Sequence, residues 1–205
     1  MNKLAFGAAV AAFSLALPGV AQAQRTPPAV IVVVDTDRVY RDCTACKAAQ
    51  TQLQALVTSA RTRATQLGQP LQTEAQSIEQ AGAALRNQSG AARAAAETAL
   101  TTRVQQFQQR QTAAQQEVSR LEQNVQSTQA NVLRQINARL NPIITQVMNA
   151  RNANLAIDTN ATLARAGALD VTNDVLTALN AALPSVSVTP LPQGQQPAQP
   201  QPQGR

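Results

Sequence analysis

The chain has 205 residues and a formal net charge of +6, from 17 basic and 11 acidic side chains, and it contains no His. Without His the usual general base, the Ser–His and Cys–His nucleophile pairs and the commonest metal ligand are all missing, which disfavours most enzyme classes. Aromatic residues make up 2% of the chain and Trp is absent, so a globule built around large rings is excluded; the abundance of Ala, Gln, Leu, Val and Thr suits packed helices with a thin core.

The N-terminus reads as an export signal. Lys3 is followed by an apolar stretch from Leu4 to Leu17, and Ala21-Gln22-Ala23 offers a cleavage site, so residues 1–23 are expected to be removed and the mature chain to start near Gln24. No later segment reaches the roughly 18 consecutive apolar residues of a membrane span, which makes the expected product a soluble one in the periplasm. Loss of Phe6 and Phe13 leaves Phe107 and Tyr40 as the only aromatic residues, and loss of Lys3 leaves 16 basic against 11 acidic side chains. That balance favours acidic partners or anionic surfaces.

Residues Ala29 to Asp35 form a β-branched run after Pro27-Pro28, which predicts a buried strand ended by a polar turn. From Ala49 a long amphipathic helix follows, its small or apolar positions falling at Leu53, Leu56, Ala60, Ala64, Leu67, Leu71, Ala75, Ile78, Gly82 and Leu85, in steps of three and four. Pro70 predicts a kink rather than an end. Asn87-Gln88-Ser89-Gly90 is the turn signal in mid-chain, and a reversal is expected at 87–91.

The second helix carries Leu100, Val104, Phe107, Gln111, Ala114, Val118, Leu121, Val125, Thr128 and Val132, alternately four and three apart, the seam of a heptad coiled coil with Gln111 and Thr128 as polar breaks. The pattern runs on through Ile136, Leu140, Ile143 and Val147, with a second kink predicted at Pro142. Forty-odd helical residues per arm give a reach on the order of 60 Å. Beyond the hairpin, Asn154 to Thr159 predicts a second strand and Thr162 to Arg165 a third. Thr172 is expected to cap a short helix ending near Leu183, with Val171 and Leu176 as a hydrophobic staple. After Pro184 the Pro- and Gln-rich composition predicts a disordered tail over residues 184–205.

The opening VVVDTDRVY followed by AAQTQLQ, the Asn141-Pro142-Ile143-Ile144 stretch and the closing NLAIDTNATLARAGALDVTNDVLTALN together resemble the Skp/OmpH family over roughly residues 29–183. The resemblance implies trimers in which the strands form a central β-assembly and three helical hairpins enclose a cavity. Such proteins hold unfolded outer-membrane proteins without a nucleotide or other cofactor. The hairpin here departs from the family in being poor in Lys and rich in Gln, and neither the Cys pair nor the Pro/Gln tail belongs to its pattern.

Cys43-Thr44-Ala45-Cys46 opens a helix after a strand, as thioredoxin-like redox motifs do, and a helix N-terminus lowers a thiol pKa. The hundred-odd helical residues downstream leave no room for such a fold, so a local disulfide or inert thiols are favoured over a redox role. Asp35, Asp37 and Asp42 lack the ligand spacing of a calcium loop and suit turn and cap duty. Glu74, Glu79, Glu97, Glu117 and Glu122 read as solvated helix surface. Against these five acids the hairpin sets ten arginines from Arg61 to Arg151. Half of these suit mere solubility; the rest suggest a positive cavity wall and tip, with Arg86, Arg93, Arg103 and Arg110 as contacts to acidic clients or anionic lipid headgroups. A nucleic-acid partner in vivo is disfavoured for an exported chain without interleaved aromatics.

The expectation is therefore an α+β chain with a trimerising head (29–42 and 152–183, with Val32, Val34, Leu155 and Ile157 at the association surface) and a helical hairpin arm (43–151). It acts as a non-enzymatic periplasmic holdase for unfolded outer-membrane β-barrels. The alternatives are a structural coiled-coil protein of the envelope and a thiol-disulfide oxidoreductase using Cys43 and Cys46.

Overall fold

The computed structural model describes residues 27–191, so the expected export signal and residues 192–205 of the tail lie outside the described residues. The element order is β1 (Ile31–Val34), α1 (Thr36–Asp42), α2 (Thr44–Ala84), a 3-10 turn (Leu85–Asn87), α3 (Gly90–Ala150), β2 (Leu155–Asp158), 3-10 turns at Thr159–Ala161 and Gly167–Leu169, and α4 (Thr172–Ala182). Among the described residues no helix is long and apolar enough to cross a membrane.

Local chemistry sets most of the boundaries. Asp35 ends β1 and caps α1, its carboxylate accepting from Arg38 N at 2.8 Å. Cys43 is extended and serves both as the C-cap of α1 and the N-cap of α2. α2 runs through Pro70 without ending, and its 41 residues span about 60 Å; α3 runs through Pro142, and its 61 residues span about 90 Å. At the reversal Gly90 takes φ +61°, the left-handed region that a Cβ disfavours. α3 ends in a Schellman motif: Asn152 sits at φ 53° with its N–H on Asn149 O at 3.0 Å, and Ala153 N–H reaches Met148 O at 3.0 Å.

β1 and β2 pair in parallel, Ile31 opposite Leu155 through Val34 opposite Asp158, with the whole hairpin as their connection. On its other side β1 makes a single parallel bridge from Val33 to Asp170. The expected third strand at Thr162 to Arg165 is absent: the segment after the 3-10 turn is irregular and its Leu163 is fully exposed. Thr172 does not cap α4 as expected either. Its hydroxyl accepts from Asp35 N at 2.9 Å, tying the end of β1 to the start of α4, while Asp170 takes up Thr172 N–H at 2.9 Å.

The core lies entirely at one end of the molecule. Val32 and Val34 pack with Val39, the first turns of α2 (Ala45, Cys46, Ala49), the base of α3 (Val132, Ile136, Leu140, Ile143, Val147) and Val175, Leu179 and Leu183. The last twenty-odd residues of α3 thus belong to the head, whose boundary with the arm falls inside the helices rather than at 42/43 and 151/152. A second correction concerns the tail. Residues 184–191 are an ordered strap along α3, with Val186 and Val188 against the core and Leu191 buried. Side chains of α3 take up the strap's main chain in place of a sheet neighbour.

Candidate functional site

The arm is where the chain has surface to offer. From Gln50 around the tip to Gln126 no residue is buried, because two helices alone can cover only one stripe of each other. The seam positions of α2 are half-buried as their spacing predicts, except Ala75, which is exposed; on α3 the polar break Gln111 is exposed as well. Where the seam thins, a groove of about 430 Å³ opens between the helices, lined by Leu67, Pro70 and Leu71 on one side and Arg110, Ala114 and Glu117 on the other.

A cross-arm ion cluster spans this weak stretch. Arg103 donates from Nε to Glu74 Oε1 at 2.6 Å and from Nη2 to Ser77 Oγ at 2.9 Å, and Arg110 lies 3.5 Å from the same carboxylate. The Arg103 hydrogen bond, opposed by partial burial and aided by the charge of Arg110, holds the Glu74 carboxyl below its ordinary pKa. Arg120 does the same for Glu117 along one helix face.

At the head end a disulfide joins Cys43 to Cys46, with Cα atoms 5.1 Å apart. Both residues are buried, at 1% and 6% exposure, beneath α4 and the base of α3. The sheet presents a different surface. Its period-two alternation turns Val32, Val34 and Ala156 to the core, and Ile31, Val33, Leu155 and Ile157 to the opposite face. On that face Leu155 is 44% and Leu169 38% exposed, and β2 forms the outer edge of the sheet.

Comparison with known proteins follows the same outline. Residues 30–179 match the model of the family described as outer membrane protein (OmpH-like). The chain belongs to the OmpH-like family. A solved structure from Caulobacter crescentus CB15, described as an OmpH-like outer membrane chaperone, superimposes with a TM-score of 0.64 at 21% identity, over 83% of this chain and 96% of that one. At that identity the likeness speaks for the fold, a long-helix hairpin on a small α+β head. No curated protein matches this chain.

Within the OmpH-like frame the expected contact residues divide. Arg103 and Arg110 are engaged with Glu74, and Arg93 pairs with Glu97 at 2.8 Å, leaving Arg86 at the tip with no carboxylate within 4 Å among the described residues. Arg61, Arg63, Arg134 and Arg139 are likewise without one, so five of the ten hairpin arginines keep their charge for another partner. Glu74 is not the solvated surface group expected; its side chain is 19% exposed. The register could have shown this: Glu74 lies 14 residues before Gln88 and Arg103 lies 14 after Ser89, so an antiparallel hairpin must set them opposite each other.

The four expected head residues also divide. Leu155 and Ile157 stand on the outer face, whereas Val32 (5% exposed) and Val34 (2%) are occupied by the chain's own core. The outer face of the sheet is formed by Ile31, Val33, Leu155 and Ile157, with β2 at its edge.

Proposed function

We propose that this OmpH-like protein is an ATP-independent holdase chaperone of the periplasm that keeps unfolded outer-membrane β-barrel proteins from aggregating, in a cavity between the arms of a homotrimer. The observation that carries the reading is the arm itself: over 70 consecutive residues without one buried, half-exposed apolar seams, and unpaired arginines along its length. A surface of that kind gives many weak contacts and no deep pocket, which suits a mobile unfolded chain that must be released without energy input. Its single aromatic, Phe107, falls far short of the anchors that tight specific interfaces use. The description of the Caulobacter relative as an outer membrane chaperone points the same way.

The trimer rests on family resemblance and on the open edge of β2, an unpaired strand that calls for a partner. Anionic lipid headgroups are a further match for Arg86 and its neighbours. The redox alternative is weakened by geometry: both cysteines are buried in the head core, at 1% and 6% exposure, whereas a reactive thiol is partly exposed.

The test is joint. Purified mature protein should sediment as a trimer and, without nucleotide, suppress the light scattering of an unfolded porin diluted from urea. Leu155→Asp should give folded monomers by circular dichroism, since that residue is already exposed, and should lose protection. Folded wild-type monomers, or a wild type that fails to protect, would defeat the reading.

A further inference from the structure

The strap of residues 184–191 lies on α3 as an extended chain lies against a sheet neighbour. Gln135 Oε1 accepts from Ser187 N–H at 2.9 Å and Nε2 donates to Ser187 O at 2.9 Å, so this amide stands in for the peptide group of an adjacent strand. One turn toward the arm tip Asn131 Nδ2 donates to Thr189 O at 3.0 Å, and Arg134 Nη2 holds that amide by donating to Asn131 Oδ1 at 3.0 Å. One turn further, Leu191 N–H donates to Ser127 Oγ at 2.8 Å. Each step is four residues on the helix and two on the strap, about 6.0 Å against about 6.2 Å, so the two repeats stay in phase.

The seat asks little of the strap's own sequence. These hydrogen bonds all end on the strap's main chain, which residues other than Pro supply in full. The side chains contribute a pattern: Val186 and Val188 turn to the core, while Ser187 and Thr189 are exposed and bond each other, Oγ to Oγ1, at 2.9 Å. Alternation of that kind is the signature of a β-barrel strand, whose apolar and polar residues face opposite sides. The strap also leaves charge on the ridge unused. Arg134 and Arg139 flank the ridge on either side, both exposed and unpaired with a carboxylate among the described residues, and residues 184–191 carry no charge.

We propose that this seat is a client site: it binds an extended segment of alternating apolar and polar residues, acidic ones favoured, and the strap fills it until such a segment displaces it. The inference rests on the holdase reading and says where a barrel strand is held. Main-chain hydrogen bonds provide affinity and alternate side chains provide selection, as in strand addition to a sheet edge. A carboxylate beside Arg134 or Arg139 gives the client an interaction that the strap lacks. A chain already held between the arms meets the seat at a high effective concentration, as the tethered strap does.

Photo-crosslinking in the full-length protein tests this, with p-benzoylphenylalanine in place of Ala138, an exposed residue one turn from Gln135 toward the head. Alone, the protein should link to residues 184–187 of its own chain. A synthetic peptide alternating Val with Glu and Ser should replace those links with its own as its concentration rises. The same peptide with Lys for Glu should need about fivefold more, and one with the same residues in blocks should not compete. Val186→Ser with Val188→Ser, beyond the end of α4, should lower the amount of acidic peptide required about tenfold, and adding Gln135→Leu should reverse that gain. Competition by the block peptide, equal potency of the Lys peptide, strap links that persist at saturating acidic peptide, or no gain in the double Val variant would each overturn the proposal. Unfolded porin in the same assay separates the two readings. Porin protected while strap links persist would remove the seat and leave the holdase; peptide capture without porin protection would do the reverse.

Discussion

Head and arm share the same two helices and the same heptad spacing, yet they are built to different depths. On α3 the seam residues from Leu100 to Val125 are only half-buried, apart from the exposed Gln111, while those from Thr128 to Val147 are buried. The spacing does not change at Ser127; the surroundings do. There the strap, α4 and the sheet close over the helix pair and turn a two-body seam into a core. Periodicity therefore identifies which face of a helix is covered, and the number of neighbouring elements decides how well. The proposed client-holding role calls for the poorly covered kind.

Truncating a seam residue in each region should expose the difference. Leu140→Ala, in the fully buried base of α3, should cost about 2–5 kcal/mol in urea unfolding, whereas Leu121→Ala on the half-buried arm should cost under about 2. Equal losses would mean that the arm is as tightly packed as the head.

Acid should also act on the head first. Hydrogen bonds from Thr172 and the Arg165 guanidinium lower the Asp170 pKa to about 2. A carboxyl lowered in the folded state stabilises fully above its unfolded pKa of about 3.8 and loses that contribution as pH falls toward 2. Asp170→Asn should therefore destabilise by up to about 2 kcal/mol at pH 7, and converge on the wild type as pH falls through 2. A difference as large at pH 2 as at pH 7 would assign the effect to packing instead.

A smaller effect is expected at the Cys43–Cys46 bridge. It closes a loop of three-residue separation, so its contribution should fall below the roughly 3 kcal/mol of a 15-residue loop. Cys43→Ser with Cys46→Ser should slightly lower the melting temperature and leave client protection intact. Loss of protection would revive a redox role.

The smallest effect should come from Arg103→Ala, which removes a part-buried cross-arm pair. Its destabilisation should be visible at low salt and vanish at high salt.

Much of this fold was legible in the sequence, because hydrophobic spacing, caps and the Asn87–Gly90 turn are local signals. What was not legible depends on partners distant in the chain. Thr172 sits where a capping residue belongs, but Asp35 N–H, 137 positions away, claims its hydroxyl. The Pro- and Gln-rich composition after Leu183 argued for disorder, yet residues 184–191 find their hydrogen-bond partners on Gln135, Asn131 and Ser127. Val32 and Val34 read as association surface because the base of α3 was not counted in the head. Of the candidate arginines, composition supplied the excess, and only the hairpin register could have shown that Glu74 neutralises Arg103.

The central claim is that clients are held in a space bounded by the arms, so the most direct measurement varies the arms alone. Matched heptads can be removed on either side of Gly90, keeping the head and the antiparallel register. Light scattering of unfolded porins of several sizes, at low and high salt, then compares the shortened and full-length proteins. The account predicts that the shortened protein remains trimeric, protects small clients and fails with large ones, and that protection by both forms weakens as salt screens the unpaired arginines over about 8 Å. Equal protection of every client by the shortened trimer would contradict it.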